Sequence, residues 1–344
     1  MFAFKLAYVA SCVAILAAPV TSTVYISTPP NNCNAYDEND VDTSACLANK
    51  INQGGLGLLV IDQQVSFHPG GSLAIATANE DAARIAAFLS NHSSELDQVV
   101  LTMDSHQRYH IAHGIFWQNA TGDPPELYTT IHAQNISDGV WMPRDASLHD
   151  YVLTYTQSLE ASGKFSLTVW PEHCLIGSHG HNIVSDVLDA ALEWTKQSLK
   201  PIEYVMKGSN PFTEHYSALR AEYELPYDPS TSLNTELIKT LQRSSKLVIV
   251  GEALSHCVNF TVRDLVDNWP AERLSDLIIL TDCSSPVAGY EAEAEVRLQS
   301  GGVCEGAASR RLTSSCLPRR LTQEFLSDMA ALGLTLTTSA EFYA

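Results

Sequence analysis

Short, mainly apolar runs recur along the chain, and several end on a charged residue. Leu56–Ile61 ends at Asp62, Val99–Met103 at Asp104 and Ile202–Met206 at Lys207, with further runs at Leu247–Val250 and Leu277–Leu280. Runs of this length fit strands buried on both faces. Between them, Ala82, Ile85, Ala86 and Leu89 share one helical face, as do Ile183, Val184, Val187, Leu188, Ala191 and Leu192. A helix is expected after Cys257, and a last helix and strand through Phe325–Leu336. This alternation predicts an α/β chain with three layers, α/β/α, around a mainly parallel sheet of about six strands. Such sheets collect chemistry beyond the carboxyl ends of their strands. Asp62, Asp104, Lys207 and Asp282 all fall there, and Cys257 lies a few residues past Val250.

The first 22 residues have the layout of a secretory signal peptide: Lys5, an apolar run from Leu6 to Ala18, then small residues around Val20 and Ser22. That run is too short for a comfortable membrane span, and no later run is long enough. The mature chain is therefore expected outside the cell or in the secretory lumen, with no membrane attachment after signal removal. Residues 23–53 read as an irregular polar leader, and 54–344 as one domain with surface insertions at about 119–164 and 301–320. A formal net charge of -19 argues against nucleic acid or an anionic membrane as partner. In an oxidising compartment Cys12 leaves with the signal and an odd number of cysteines remains, so at least one thiol stays free. Cys33 and Cys46 flank one polar segment, and Cys304 and Cys316 another. Both pairs read as loop-closing disulfides. Glycosylation sequons begin at Asn91, Asn119, Asn135 and Asn259, the last at a buried helix start where no glycan is expected.

Several residues are candidates for chemistry. Cys257 stands between a strand and a helix in GEALSHCVNF. A helix N-terminus and a nearby cation both lower a thiol pKa, although a lone cysteine is more often plain core. Lys207, emerging from a strand in VMKG, is placed to be that cation, and Asp62 to accept the thiol proton. Asp104 and His106 form an Asp-x-His unit, and His173 lies in VWPEHC. Carboxylate plus imidazoles suits Zn(II), Fe(II) or Mn(II). His110 and His113 are both near enough to be a fourth ligand or to support the others.

Taken in order, LLVIDQQVSFHPGGSL, TMDSHQRYH, VWPEHCLIGSHG, VMKG with the downstream HYSAL, GEALSHCVNFTVRDL and TDCSSPV resemble the nicotinamidase branch of the isochorismatase-like cysteine hydrolases, over about residues 54–300. The resemblance implies an isochorismatase-like fold and conversion of nicotinamide to nicotinic acid and ammonia. It makes Cys257 the nucleophile, Asp62 its proton acceptor and Lys207 the group that stabilises the thiolate. The backbone N–H groups of Ala253 and Cys257 become the oxyanion hole, beside a cis peptide between Glu252 and Ala253. Asp104, His106 and His173 become ligands of one divalent metal, zinc first, with iron or manganese as the alternatives. Phe67 and Trp170 are placed to sandwich the substrate ring. Relatives range from monomers to larger assemblies, so an oligomer is open.

The chain departs from the family pattern at Val65 and Ser66, where Asn-Asp is usual, at Gln107, where proline is usual, and at Glu252, where a small or branched apolar residue is usual. These departures bear on substrate preference. The competing readings are a hydrolase of another small amide or carbamoyl compound, and a secreted binding protein that has lost catalysis; intact Asp62, Lys207 and Cys257 disfavour the second. Peptide mapping without reduction is expected to find Cys33 linked to Cys46, and a free Cys33 would overturn that pairing.

Overall fold

Strand β1 (Leu56–Ile61) is buried at every position, because it runs through the middle of the sheet. It pairs in parallel with β2 (Leu96–Asp104) on one side and β4 (Lys246–Gly251) on the other, with Val60 opposite both Leu101 and Val250. Beyond β2 lies β3 (Glu203–Lys207). Beyond β4 lie β5 (Leu277–Leu280) and β6 (Thr335–Thr337), again parallel. The sheet order is therefore β6-β5-β4-β1-β2-β3. This computed structural model describes residues 54–163, 166–290 and 321–342. The expected signal peptide and leader, Cys33–Cys46, Cys304–Cys316 and the 301–320 insertion lie outside the described residues.

Helices α1 (Ala78–Asn91) and α3 (Ser185–Ser198) cover one face of the sheet. Ile85, Phe88, Val187 and Trp194 pack there against Leu58, Val60, Val99 and Val250. Helices α4 (Thr235–Leu241), α5 (Asn259–Asp267) and α6 (Leu321–Ala331) cover the other, where Leu241, Val262, Leu265 and Phe325 meet Leu59, Ile61, Val100 and Ile249. Both faces of each central strand are thus apolar, as the uninterrupted runs require. The exception is the expected buried strand at Ile202–Met206. It is the sheet edge, and Tyr204 and Met206 are 47% and 54% exposed. An apolar run alone does not separate a central strand from an edge strand.

The stretch 119–164, which shows little periodicity in sequence, carries helix α2 (His149–Ser162). Its buried positions Val152, Tyr155, Thr156 and Leu159 do follow helical spacing, but polar neighbours dilute the stripe. With Trp117, Ile131 and Ile136 it builds a third apolar cluster, which also contains Phe67 and Trp170. Among the described residues no helix is long and apolar enough to cross a membrane.

The strand order reverses between β1 and β4, which is where α/β sheets place their ligands. At this point Gly251, opposite Ile61, has a φ of 122°. A Cβ there would collide with the Ile61 carbonyl. Gly163, which ends α2 at a φ of 68°, has open space around the corresponding Cβ position. Gly251→Ala is therefore expected to lower stability by about 3 kcal/mol or more, and Gly163→Ala by only about 1 kcal/mol. Urea unfolding of the two variants checks this, and equal losses would contradict it.

Candidate active site and metal centre

Asp62 leaves β1 with a φ of 47°, a left-handed conformation uncommon outside glycine that turns the chain sharply at the strand end. Its Oδ1 accepts from the Thr102 hydroxyl at 2.6 Å, and its backbone N–H donates back to Thr102 at 3.1 Å. Two strands over, parallel register sets Asp104 directly opposite Lys207. The Lys207 ammonium lies 2.9 Å from Asp62 Oδ2, 3.0 Å from Asp104 Oδ1 and 3.5 Å from Cys257 Sγ, and it donates to the His215 carbonyl at 2.8 Å. All four side chains are buried. Burial opposes the lysine charge, yet Asp104 and Asp62 together hold Lys207 well above its ordinary value.

The peptide between Glu252 and Ala253 is cis, as the resemblance implies. Leu254–Val258 then form a π-helical turn that leads into α5, with Cys257 inside it. Sequence reasoning expects a thiol with a lowered pKa at this helix start. Instead, burial pushes Cys257 well above its usual value, against the pull of Lys207. Burial also raises Asp62, with Lys207 again opposing. The thiol thus has a carboxyl group beside it with which it can exchange a proton.

On the other side of Asp104, Oδ2 lies 3.0 Å from His106 Nε2 and 3.1 Å from His173 Nε2. His173 Nδ1 donates to the Pro171 carbonyl at 2.8 Å, so in the neutral ring Nε2 presents a lone pair to a carboxylate oxygen. Acceptor facing acceptor in a buried site calls for a cation, and a histidine whose second nitrogen is tied to a carbonyl is the usual form of a metal ligand. The three groups converge closely enough to hold one ion.

The sequence leaves His110 and His113 equal, but the structure separates them. His110 uses both nitrogens, one toward the Thr213 carbonyl at 3.2 Å and the other accepting from Ala112 N–H at 3.2 Å. His113 ties Nδ1 to the Arg108 carbonyl at 3.1 Å, and its buried Nε2 has no partner. Its ring centroid is 5.3 Å from that of His106 and 5.7 Å from that of His173. Burial, with His106 and His173, pushes His113 down to about 3, which keeps a lone pair available at neutral pH. Glu214, which sequence reasoning missed, is also buried. Its Oε1 lies 3.8 Å from His106 Nε2 and its Oε2 has no partner. The residues therefore fit a divalent cation held by Asp104, His106 and His173; a second set, His106, His110 and Glu214, also converges closely, but there both His110 nitrogens are already engaged.

The metal-side and thiol-side groups share one cavity, lined by Phe67, Trp170, Tyr216, Ala253, Cys257 and Val287 along with Asp104, His173 and Glu214. Phe67 contacts His173 edge-on, and Trp170 donates from its indole nitrogen to the Tyr216 hydroxyl at 2.9 Å. His256, buried and pushed down to about 3, adds a neutral wall. Tyr216 lies in the HYSAL segment, His256 in GEALSHCVNF and Val287 at the end of TDCSSPV, although none of the three was singled out as a site residue. Asp282, also at a strand end, is not in the cavity. Its carboxylate binds Ser339, 2.7 Å from the backbone nitrogen and 2.6 Å from the hydroxyl. Cys174, Cys257 and Cys283 are buried and unpaired among the described residues, and Asn259 is only 1% exposed, consistent with the expected absence of a glycan.

The parallel six-stranded sheet, with helices on both faces and the site at its switch point, is the isochorismatase-like α/β fold. Within that class the structure resembles solved nicotinamidases. It matches the Acinetobacter baumanii nicotinamidase with a TM-score of 0.50 at 19% identity, over 84% of this chain and 98% of that one. It matches the yeast nicotinamidase Pnc1p, bound to the inhibitor nicotinaldehyde, with a TM-score of 0.51 at 18% identity, over 82% and 99%. No family model and no curated protein matches the sequence. At these identities the likeness shows the fold. Because only His113 keeps a ring nitrogen without a partner, His113→Ala is expected to weaken zinc binding roughly tenfold or more, and His110→Ala far less. Titration with a competing chelator measures both, and the reverse order would exchange their roles.

Proposed function

We propose that the chain is a metal-dependent cysteine amidohydrolase that converts nicotinamide to nicotinic acid and ammonia. One observation carries the reading. A single buried ammonium, Lys207, touches the candidate nucleophile, its proton acceptor and a carboxylate that faces two histidines, and the nucleophile and that carboxylate line one aromatic-walled cavity. A structural ion pair has no need of a thiol, and a structural metal site has no need of an open cavity.

The steps follow from these positions. Cys257 Sγ attacks the amide carbonyl carbon while its proton passes to Asp62, so the thiolate exists only as the bond forms. Lys207 stays charged throughout and stabilises both the sulfur and the carboxylate. The carbonyl oxygen takes up negative charge beside the Ala253 and Cys257 N–H groups, a kind of contribution worth roughly 3 kcal/mol per donor. Asp62 returns the proton to the departing ammonia, leaving a thioester on Cys257. Water, losing its proton to Asp62, then breaks the carbon–sulfur bond to release the acid and restore the thiol. Phe67 and Trp170 hold the ring. Asp104, His106 and His173 would hold a zinc, iron or manganese ion, which when bound would supply a Lewis acid at the pyridine end of the substrate. The chain is further proposed to act after secretion, on a small free molecule.

Cys257→Ala is expected to lower ammonia release from nicotinamide by roughly a thousandfold or more while leaving zinc content and thermal midpoint unchanged. Removing the metal by chelation is expected to suppress release reversibly. Retained activity in the variant would remove the nucleophile. Chelator-insensitive release would remove the metal from the reaction, and metal-loaded protein that leaves nicotinamide intact would remove the substrate.

A further inference from the structure

Glu252 directly precedes Ala253 and is completely buried, at a position where the nicotinamidase pattern has an apolar residue. None of the steps above uses it. Its Oε2 accepts from the Ser285 backbone N–H at 3.1 Å, and Gln63, next to Asp62, approaches Oε1 at 3.4 Å. From α1, the carboxyl of Asp81 faces it. Asp81 is held on one oxygen by the Arg84 guanidinium at 2.6 Å, while its other oxygen is buried with no donor. Arg84 Nε also donates to the Asp282 carbonyl. Gln63 leads on to His68, 3.0 Å away, and His68 to Asn79, also at 3.0 Å.

The charges around Glu252 are therefore Asp81, with Arg84 behind it, from α1. The segment after β1 contributes neutral Gln63, with His68 behind it. The loop after β5 contributes the Ser285 N–H, while the Asp282 carboxylate is occupied by Ser339. Among the described residues no cation pairs with Glu252. Two facing buried carboxyls cannot both be ionised at low cost. Arg84 sits on Asp81, so the proton belongs to Glu252, where it also supplies the donor that Asp81 Oδ2 lacks. Burial and the Asp81 charge both push Glu252 well above the ordinary glutamate range, in agreement.

We propose that Glu252 is a positioning residue: its protonated carboxyl donates to Asp81 and accepts from the Ser285 N–H, clamping the strand end that carries Ala253 between α1 and the loop that carries Val287. The Leu254 N–H, which donates to the Ser285 carbonyl at 2.8 Å, closes the clamp from the other side. The inference deepens the amidohydrolase reading and rests on it for the role of Ala253. Because folding raises the Glu252 value, the clamp is complete at acid pH, below the ordinary glutamate value, and is lost as pH rises through the folded value.

Two variants separate a clamp from simple filling. Glu252→Gln keeps a donor for Asp81 and an acceptor for Ser285. Glu252→Val restores the apolar pattern but leaves the Asp81 oxygen without a donor. The expected result at neutral pH is a kcat for nicotinamide within about threefold of wild type for the glutamine variant and about tenfold or more below it for the valine variant, with KM little changed in both. Thermal midpoints are expected to follow the same order, the valine variant falling by about 3 °C or more. Wild-type kcat in the valine variant, or equal damage in both, would overturn the clamp. If wild-type protein leaves nicotinamide intact, the amidase reading fails alone. The midpoints still decide the clamp: a valine variant as stable as wild type, or a glutamine variant equally destabilised, overturns it.

Discussion

Everything near the cavity depends on one buried ammonium. Lys207 lies among Asp62, Asp104, the His215 carbonyl and Cys257, and the cost of burying that charge is met only because two carboxylates are buried with it. Remove the lysine and two anions face each other in an apolar interior. Remove either carboxylate and the balance tips the other way. The cluster is thus held as a unit, and the thiol is placed within it.

Register and topology explain how remote parts of the chain assemble this unit. Parallel pairing sets Asp104 opposite Lys207, while Ile61 opposite Gly251 brings the turn at Asp62 beside the turn that leads to Cys257. Gly251 permits the close approach because a side chain there would strike the Ile61 carbonyl. The third apolar cluster, built on Trp117, Tyr155 and Trp170, joins the stretch 119–164 to the cavity wall, so that stretch is part of the site's support.

The sheet was legible because its central strands are mainly apolar runs, and Asp62, Asp104 and Lys207 were legible because each sits where such a run ends, with Cys257 a few residues past another. Other features needed coordinates. Helix α2 was hidden by polar residues between its buried positions. The edge position of β3 was hidden because exposure depends on neighbours far away in sequence. His110 and His113 share a loop, and only their carbonyl and amide partners tell them apart. The burial that pushes the thiol value up, against the pull of Lys207, also had no sign in sequence. Glu214 gave no sign in sequence, since a carboxylate in a connecting segment is ordinary until it is found buried with an unpaired oxygen.

Asp104 divides its two oxygens between different tasks, one toward Lys207 and the other toward His106 and His173. A single delocalised carboxylate joins the two sides, so they are linked equilibria. Were a cation held among the histidines, electron density drawn toward it would be withdrawn from the lysine, which would then lean more on Asp62 and on the sulfur. Reciprocity follows: whatever ion occupancy does to the acidity of the thiol, ionisation of the thiol does to ion affinity by the same factor.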